Sequence, residues 1–259
     1  MLIALPCAFA QGDPKQEAQD QLAQGVTDYK ASNFESAIAH FRRATELDPE
    51  SQLDRLYLAT AYAQQYVPDV ETPDNVKNAT LAIEQYQIVL QKDPANSNSL
   101  LGIAYLSMSM KKFEEAREYY KKATAVDPNN PEAYYCVGVI DWRSVYADIG
   151  ARKAKIGLKV DDDLKLPRHQ RLCGEIRDAN LARIEEGIAM LQQAMKLRPD
   201  YDDAMAYMNL LYRRKADTEC NDPKASASDI AAADHWVDLA MAARKRKKEQ
   251  SSGKTPQEF

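Results

Sequence analysis

Apolar positions along this chain recur in a phrase that strand alternation does not produce. An aromatic residue or Leu is followed, after two residues, by Ala, and after four more by Pro. The phrase is read at Phe41, Ala44 and Pro49, at Tyr120, Ala123 and Pro128, and at Leu191, Ala194 and Pro199. A further copy has Tyr86, Val89 and Pro94. Ahead of each lies a second apolar segment of helical spacing that carries small residues. No run of alternating apolar and polar β-branched residues argues for a strand. The pattern predicts pairs of helices, each second helix stopped by its Pro, with Asp48, Asp93 and Asp127 placed before Pro for a tight turn. An ordinary bundle with chance Ala spacing would not repeat the Pro-terminated phrase. Self-similar pairs imply an array in which each unit buries its apolar face against its neighbours.

In one unit the order runs Gly25, Tyr29, Phe34, Ala37, Phe41, Ala44, Pro49. In another it runs Leu101, Gly102, Tyr105, Phe113, Ala116, Tyr120, Ala123, Pro128. These residues resemble the tetratricopeptide repeat, a helix-turn-helix unit of about 34 residues. Gly and Ala stand where two helices cross closely, and aromatics fill the wider gaps. The resemblance covers most of the chain past residue 17. It implies an all-α fold, a right-handed α-solenoid of about five units over 11–248. The units run 18–51, 52–94, 95–130, 131–201 and 202–248, with the second and fifth more degenerate.

The second, fourth and fifth units carry insertions: around Val67–Asp74, over 146–183, and around Thr218–Pro223. All fall between the two helices of their unit and so emerge along one edge of the array, a placement that fits either a binding edge or drift in tolerant loops. Tyr146–Leu158 and Leu172–Ile184 keep helical spacing, so the fourth hairpin is expected to project beyond its neighbours. Asp161, Asp162 and Asp163 between them lack the alternation and central Gly of a calcium loop and read as a solvated turn. Cys173 and Cys220 lie in the insertions of adjacent units. In an oxidising compartment a bridge between them would close a loop of roughly 46 residues, worth on the order of 3–4 kcal/mol; the alternative is two free thiols. Cys136 reads as a small core residue.

The resemblance places the first helices on the concave face. That register puts Tyr29, Leu56, Ile103, Tyr135, Val139, Trp142, Arg143, Arg213 and Arg214 there as candidate partner-binding residues. Aromatic and Arg side chains are what an interface hot spot favours, and Arg suits an acidic or C-terminal carboxylate group. The competing reading has Tyr135 and Val139 packed on the next unit and the Arg residues solvated. The Lys and Asn that some members use to clamp a carboxylate are replaced by Leu22, Leu56, Ser99 and Tyr135 and by Val26, Thr60, Ile103 and Val139. A cytosolic co-chaperone is therefore disfavoured.

The chemistry-bearing residues add little. His40, His169 and His235 are far apart, no nucleophile, phosphate-loop or dinucleotide motif occurs, and His169 with Cys173 lacks further metal ligands. No enzyme activity, metal or cofactor is expected. A net charge of −5 weighs against nucleic acid as partner. Met1–Ala10 is apolar and closes on Ala8-Phe9-Ala10, resembling the end of a secretory signal without its basic start, so residues 1–10 are expected to be removed and the protein to be periplasmic or secreted. No stretch is long and apolar enough to span a membrane. The last helix ends in Arg244-Lys245-Arg246-Lys247-Lys248, before a polar tail at 249–259 expected to be disordered. The expectation is a non-catalytic scaffold of the bacterial envelope that holds an unidentified protein or peptide in its groove. The alternative is a structural, self-associating envelope component that meets anionic surfaces through its edge hairpins and basic end.

Overall fold

The computed structural model describes residues 13–252. Among the described residues there are ten α-helices and no strand. They are α1 (Pro14–Lys30), α2 (Phe34–Leu47), α3 (Gln52–Gln64), α4 (Pro73–Lys92), α5 (Ser97–Ser109), α6 (Phe113–Val126), α7 (Pro131–Ala154), α8 (Gln170–Leu197), α9 (Asp202–Ala216) and α10 (Pro223–Ser252). In chain order they form five helix-turn-helix hairpins, so the all-α repeat architecture expected from the apolar phrase is the one observed. The expected signal remnant at 1–10 lies outside the described residues, as does the end of the tail; α10 runs to Ser252, past residue 249.

Local sequence sets the helix ends. Asp13 accepts the Lys15 N–H at 3.0 Å, with Pro14 opening α1. Ser51, Thr72, Asn96 and Asn130 accept in the same way from Asp54, Asn75, Ser99 and Ala133. Each satisfies a backbone donor that the first turn leaves free, worth about 1 kcal/mol. At the other ends, Asp48 (φ −126°, ψ 82°) and Asp93 (φ −130°, ψ 85°) leave helical geometry because each precedes a Pro.

The chain divides into two compact units, Met1–Tyr119 and Tyr120–Phe259. In the first, α1 packs on α2 and α3, α3 on α4, and α4 on α5. Phe41, Leu58, Ile83, Tyr86, Ile103 and Leu106 form its core. Gly25 lets α1 and α2 close: a Cβ there would sit 2.5 Å from the Phe41 ring. In the second unit α7 packs on α8 and both touch α9, which pairs with α10. Ile149, Ile176, Ile184, Leu191, Met208 and Leu211 fill that core. Burying each contributes roughly 1.5–3 kcal/mol. Gly138 plays the part of Gly25, with the Leu191 side chain 2.6 Å from where its Cβ would lie.

The insertions are ordered by specific bonds. Asn75, buried at the start of α4, accepts the Val67 N–H at 2.7 Å and donates to the Val67 and Val70 carbonyls at 2.8 and 2.6 Å, closing the loop of the second hairpin. In the fourth hairpin, α7 and α8 lengthen and residues 155–169 turn between them. Cys173 of α8 is bonded to Cys220 of the α9–α10 connection, with their Cα atoms 5.5 Å apart.

Candidate protein-binding site

The second unit assembles an aromatic ladder on the faces of α7 and α9. Tyr135, Val139 and Trp142 follow one another at spacings of four and three on α7 and so share one side of it. Tyr207 of α9 reaches that side, edge-on to Tyr135 (centroids 5.8 Å apart) and to Trp142 (5.2 Å). Tyr201, which precedes α9, lies 4.8 Å from Tyr135, and Tyr146 lies 5.3 Å from Trp142. Pairs in this range contribute about 0.5–1.5 kcal/mol beyond area burial. Cations close both ends: the Arg198 guanidinium lies 4.3 Å over Tyr201 and that of Arg214 5.9 Å from Tyr146.

Five rings are thus held by one another; Tyr201 is buried, and the other four keep part of their surface open to solvent. Tyr135, Trp142 and Tyr207 are half-buried, and Tyr146 and Arg143 are exposed. Burial pushes the Tyr135, Tyr201 and Tyr207 phenols up, Tyr201 further through its hydrogen bond to Glu132. They remain neutral hydroxyl groups at physiological pH. Burial also works to raise the Glu132 carboxyl, but hydrogen bonds from Tyr201 and Arg198 (2.7 Å) outweigh it and hold the pKa below the ordinary range. The ladder offers flat apolar faces, neutral hydroxyls and an exposed Arg143 beside Tyr207. These are groups capable of stacking and hydrogen bonding, and no nucleophile–base pair is among them.

The other expected partner-binding residues divide. Tyr29 and Leu56 are half-buried in the first unit, Tyr29 edge-on to Phe34 at 5.4 Å. Ile103 is 0 % exposed and belongs to that unit's core, because α5 is covered by both α3 and α4; it offers a partner nothing. Val139 is buried as well. Arg213 is turned to Asn209 (2.9 Å) and to Asp234 of α10 (2.7 Å). Arg214 is 6 % exposed and bonded to the Val160 carbonyl (2.8 Å), Asp161 (3.0 Å) and Asp217 (3.2 Å). It is an internal strut of the long insertion, not a recognition residue. Tyr201, Tyr207 and Tyr146, which the repeat register did not put forward, complete the ladder; the density of Tyr in 201–212 was the available signal.

Beside Arg214 lies a network that sequence reasoning missed. Lys153, fully buried near the end of α7, donates to the Val160 and Asp162 carbonyls, each at 2.9 Å, and to Asp217 at 2.7 Å. Burial raises the Asp217 carboxyl above its ordinary range despite Arg214 and Lys153. With the neighbouring disulfide, these groups tie the 155–169 turn to the end of α9. The basic end of α10 is also engaged internally. Arg244 meets Asp202 (2.9 Å) and Asp203 (3.2 Å), and Lys247 meets Asp202 (2.5 Å). No cluster of three or more His, Cys, Asp or Glu with metal-binding geometry occurs among the described residues.

Comparison with known proteins locates this architecture. A family model described as a tetratricopeptide repeat matches residues 22–97, and one described as a TPR repeat matches 104–144. No curated protein matches the sequence. Among solved structures, a MamA protein is similar at 14% identity, with a TM-score of 0.61, over 95% of this chain and all of that one. MamA residues 41–end from Desulfovibrio magneticus RS-1 align at 14% identity with a TM-score of 0.59, over 92% of this chain and 98% of that one. At such identity the likeness is one of fold.

Proposed function

Because the chain is a tetratricopeptide-repeat protein, and so an interaction scaffold, we propose that it holds a peptide or protein subunit against the α7–α9 face and does no chemistry of its own. The aromatic ladder carries this reading. Rigid, mutually packed rings with one open face bind at little conformational cost, and aromatic anchors with Arg dominate interface energies. Tyr135, Trp142 and Tyr207 would take an apolar or aromatic side chain, and Arg143 a carboxylate, whether acidic or C-terminal.

The same proposal includes a place of work, the bacterial envelope. Its supports are the apolar Met1–Ala10 with its Ala8-Phe9-Ala10 ending, and the Cys173–Cys220 bridge, since such bonds persist in oxidising compartments. The test is to express the full gene in its native host, cross-link the envelope fraction mildly and capture the protein by affinity. A stoichiometric partner that disappears with Trp142→Ala is expected. Recovery of self-cross-linked chains alone, or of the protein from cytosol, would overturn the groove reading or the compartment respectively.

A further inference from the structure

The turn joining α7 to α8 holds a cavity of about 330 Å³, within the range of small-ligand sites. Four cations line it, Arg152 and Lys155 from the α7 side and Arg168 and Arg171 from the α8 side. Arg152 bonds Asp148 at 2.6 Å and Arg171 bonds Glu175 at 3.0 Å. Neither Lys155 nor Arg168 has an ion-pair partner among the described residues. Against those two acids, four cations leave an excess of two positive charges at the site. Two further features lie beside these cations. His169 caps α8 without a side-chain hydrogen bond, and its Nδ1 is buried with no partner. The N-terminus of that long helix opens beside it, with its own partial positive charge. Ile156, 47 % exposed, and Leu172 form an apolar wall among these charges.

We propose that this cavity binds a phosphate group bearing an apolar substituent. A phosphate monoester is close to dianionic at neutral pH and so matches the excess charge. Arg168 and Arg171 present planar forks for its oxygens and Lys155 a point charge. Ile156 and Leu172 cover the attached carbon chain. An anionic phospholipid headgroup and a soluble phosphate ester share this chemistry. The site is independent of the aromatic ladder, and either can fail alone.

The test uses the full-length protein with three probes at physiological salt: inorganic phosphate, hexyl phosphate, and vesicles of phosphatidylcholine with and without phosphatidic acid. Hexyl phosphate is expected to bind more tightly than inorganic phosphate. An Arg168→Glu/Arg171→Glu variant, altered at two exposed positions and checked for folding by circular dichroism, should bind at least tenfold more weakly. Ile156→Ser should weaken hexyl phosphate and leave inorganic phosphate unchanged. Binding to phosphatidic acid vesicles that the charge reversal abolishes assigns the headgroup; hexyl phosphate binding without vesicle binding assigns a soluble ester. Absence of binding to every probe, or binding the charge reversal does not change, overturns the proposal.

Discussion

A single Cβ separates two kinds of glycine in this protein. At Gly25 it would meet Phe41 ring atoms at 2.5 and 2.6 Å, and Phe41 is fully buried and has nowhere to go. At Gly174, inside α8, nothing lies within 4 Å. Gly25→Ala should therefore destabilise the fold by about 1–3 kcal/mol, as overpacking does. Gly174→Ala should stabilise it by up to about 1 kcal/mol, because only the helix preference of Ala remains. Urea unfolding of the two variants checks both signs. The same scale explains why two candidate recognition residues are not on a surface. Ile103 and Arg214 occupy positions that an idealised repeat leaves open. Here α5 is covered on both sides, and the long insertion folds back and binds the guanidinium.

At the scale of the element, the hairpins were legible because their punctuation is local. Asp48, Asp93 and Asp127 before their prolines mark the ends of α2, α4 and α6. Side-chain caps from Asp13, Ser51, Thr72, Asn96 and Asn130 satisfy the starts of α1, α3, α4, α5 and α7, and glycines mark the close crossings. The turn between α7 and α8 was not legible. Its order comes from Lys153, Cys173 and Asp217, which are distant in sequence, and nothing near Lys153 marks it as a buried cation. Half of the candidate site was readable in the same way: Tyr135 and Trp142 follow from helical spacing, whereas Tyr201 and Tyr207 join them only when α9 packs on α7. The end of α10 supplies a pH-dependent contact. Burial alone would raise the Asp202 carboxyl, but Lys247 and Arg244 hold it below the ordinary range. A depressed carboxylate stabilises above its unfolded pKa of about 4 and loses that contribution as pH falls through the folded value. Hydrogen exchange should show the last turns of α10 protected at pH 5 and above, released below about pH 4, and less protected at high salt.

At the scale of the molecule, both tryptophans, Trp142 and Trp236, belong to the second compact unit, so their fluorescence reports on it alone. The Cys173–Cys220 bridge closes a separation of 47 residues in that unit, for which loop entropy gives about 4 kcal/mol. Reduction, or a Cys173→Ser/Cys220→Ser variant, should lower the fluorescence midpoint in urea by that equivalent; a bridge that forms in the cell should be found oxidised in freshly isolated protein by thiol labelling under denaturing conditions. The account of function rests on the ladder, and the most direct measurement is calorimetric affinity of the captured partner for the wild type and for Trp142→Ala. The ladder predicts a loss of roughly 30-fold or more, the size of a hot-spot truncation of about 2 kcal/mol. An affinity within twofold of the wild type would show that the partner sits elsewhere and would contradict the account.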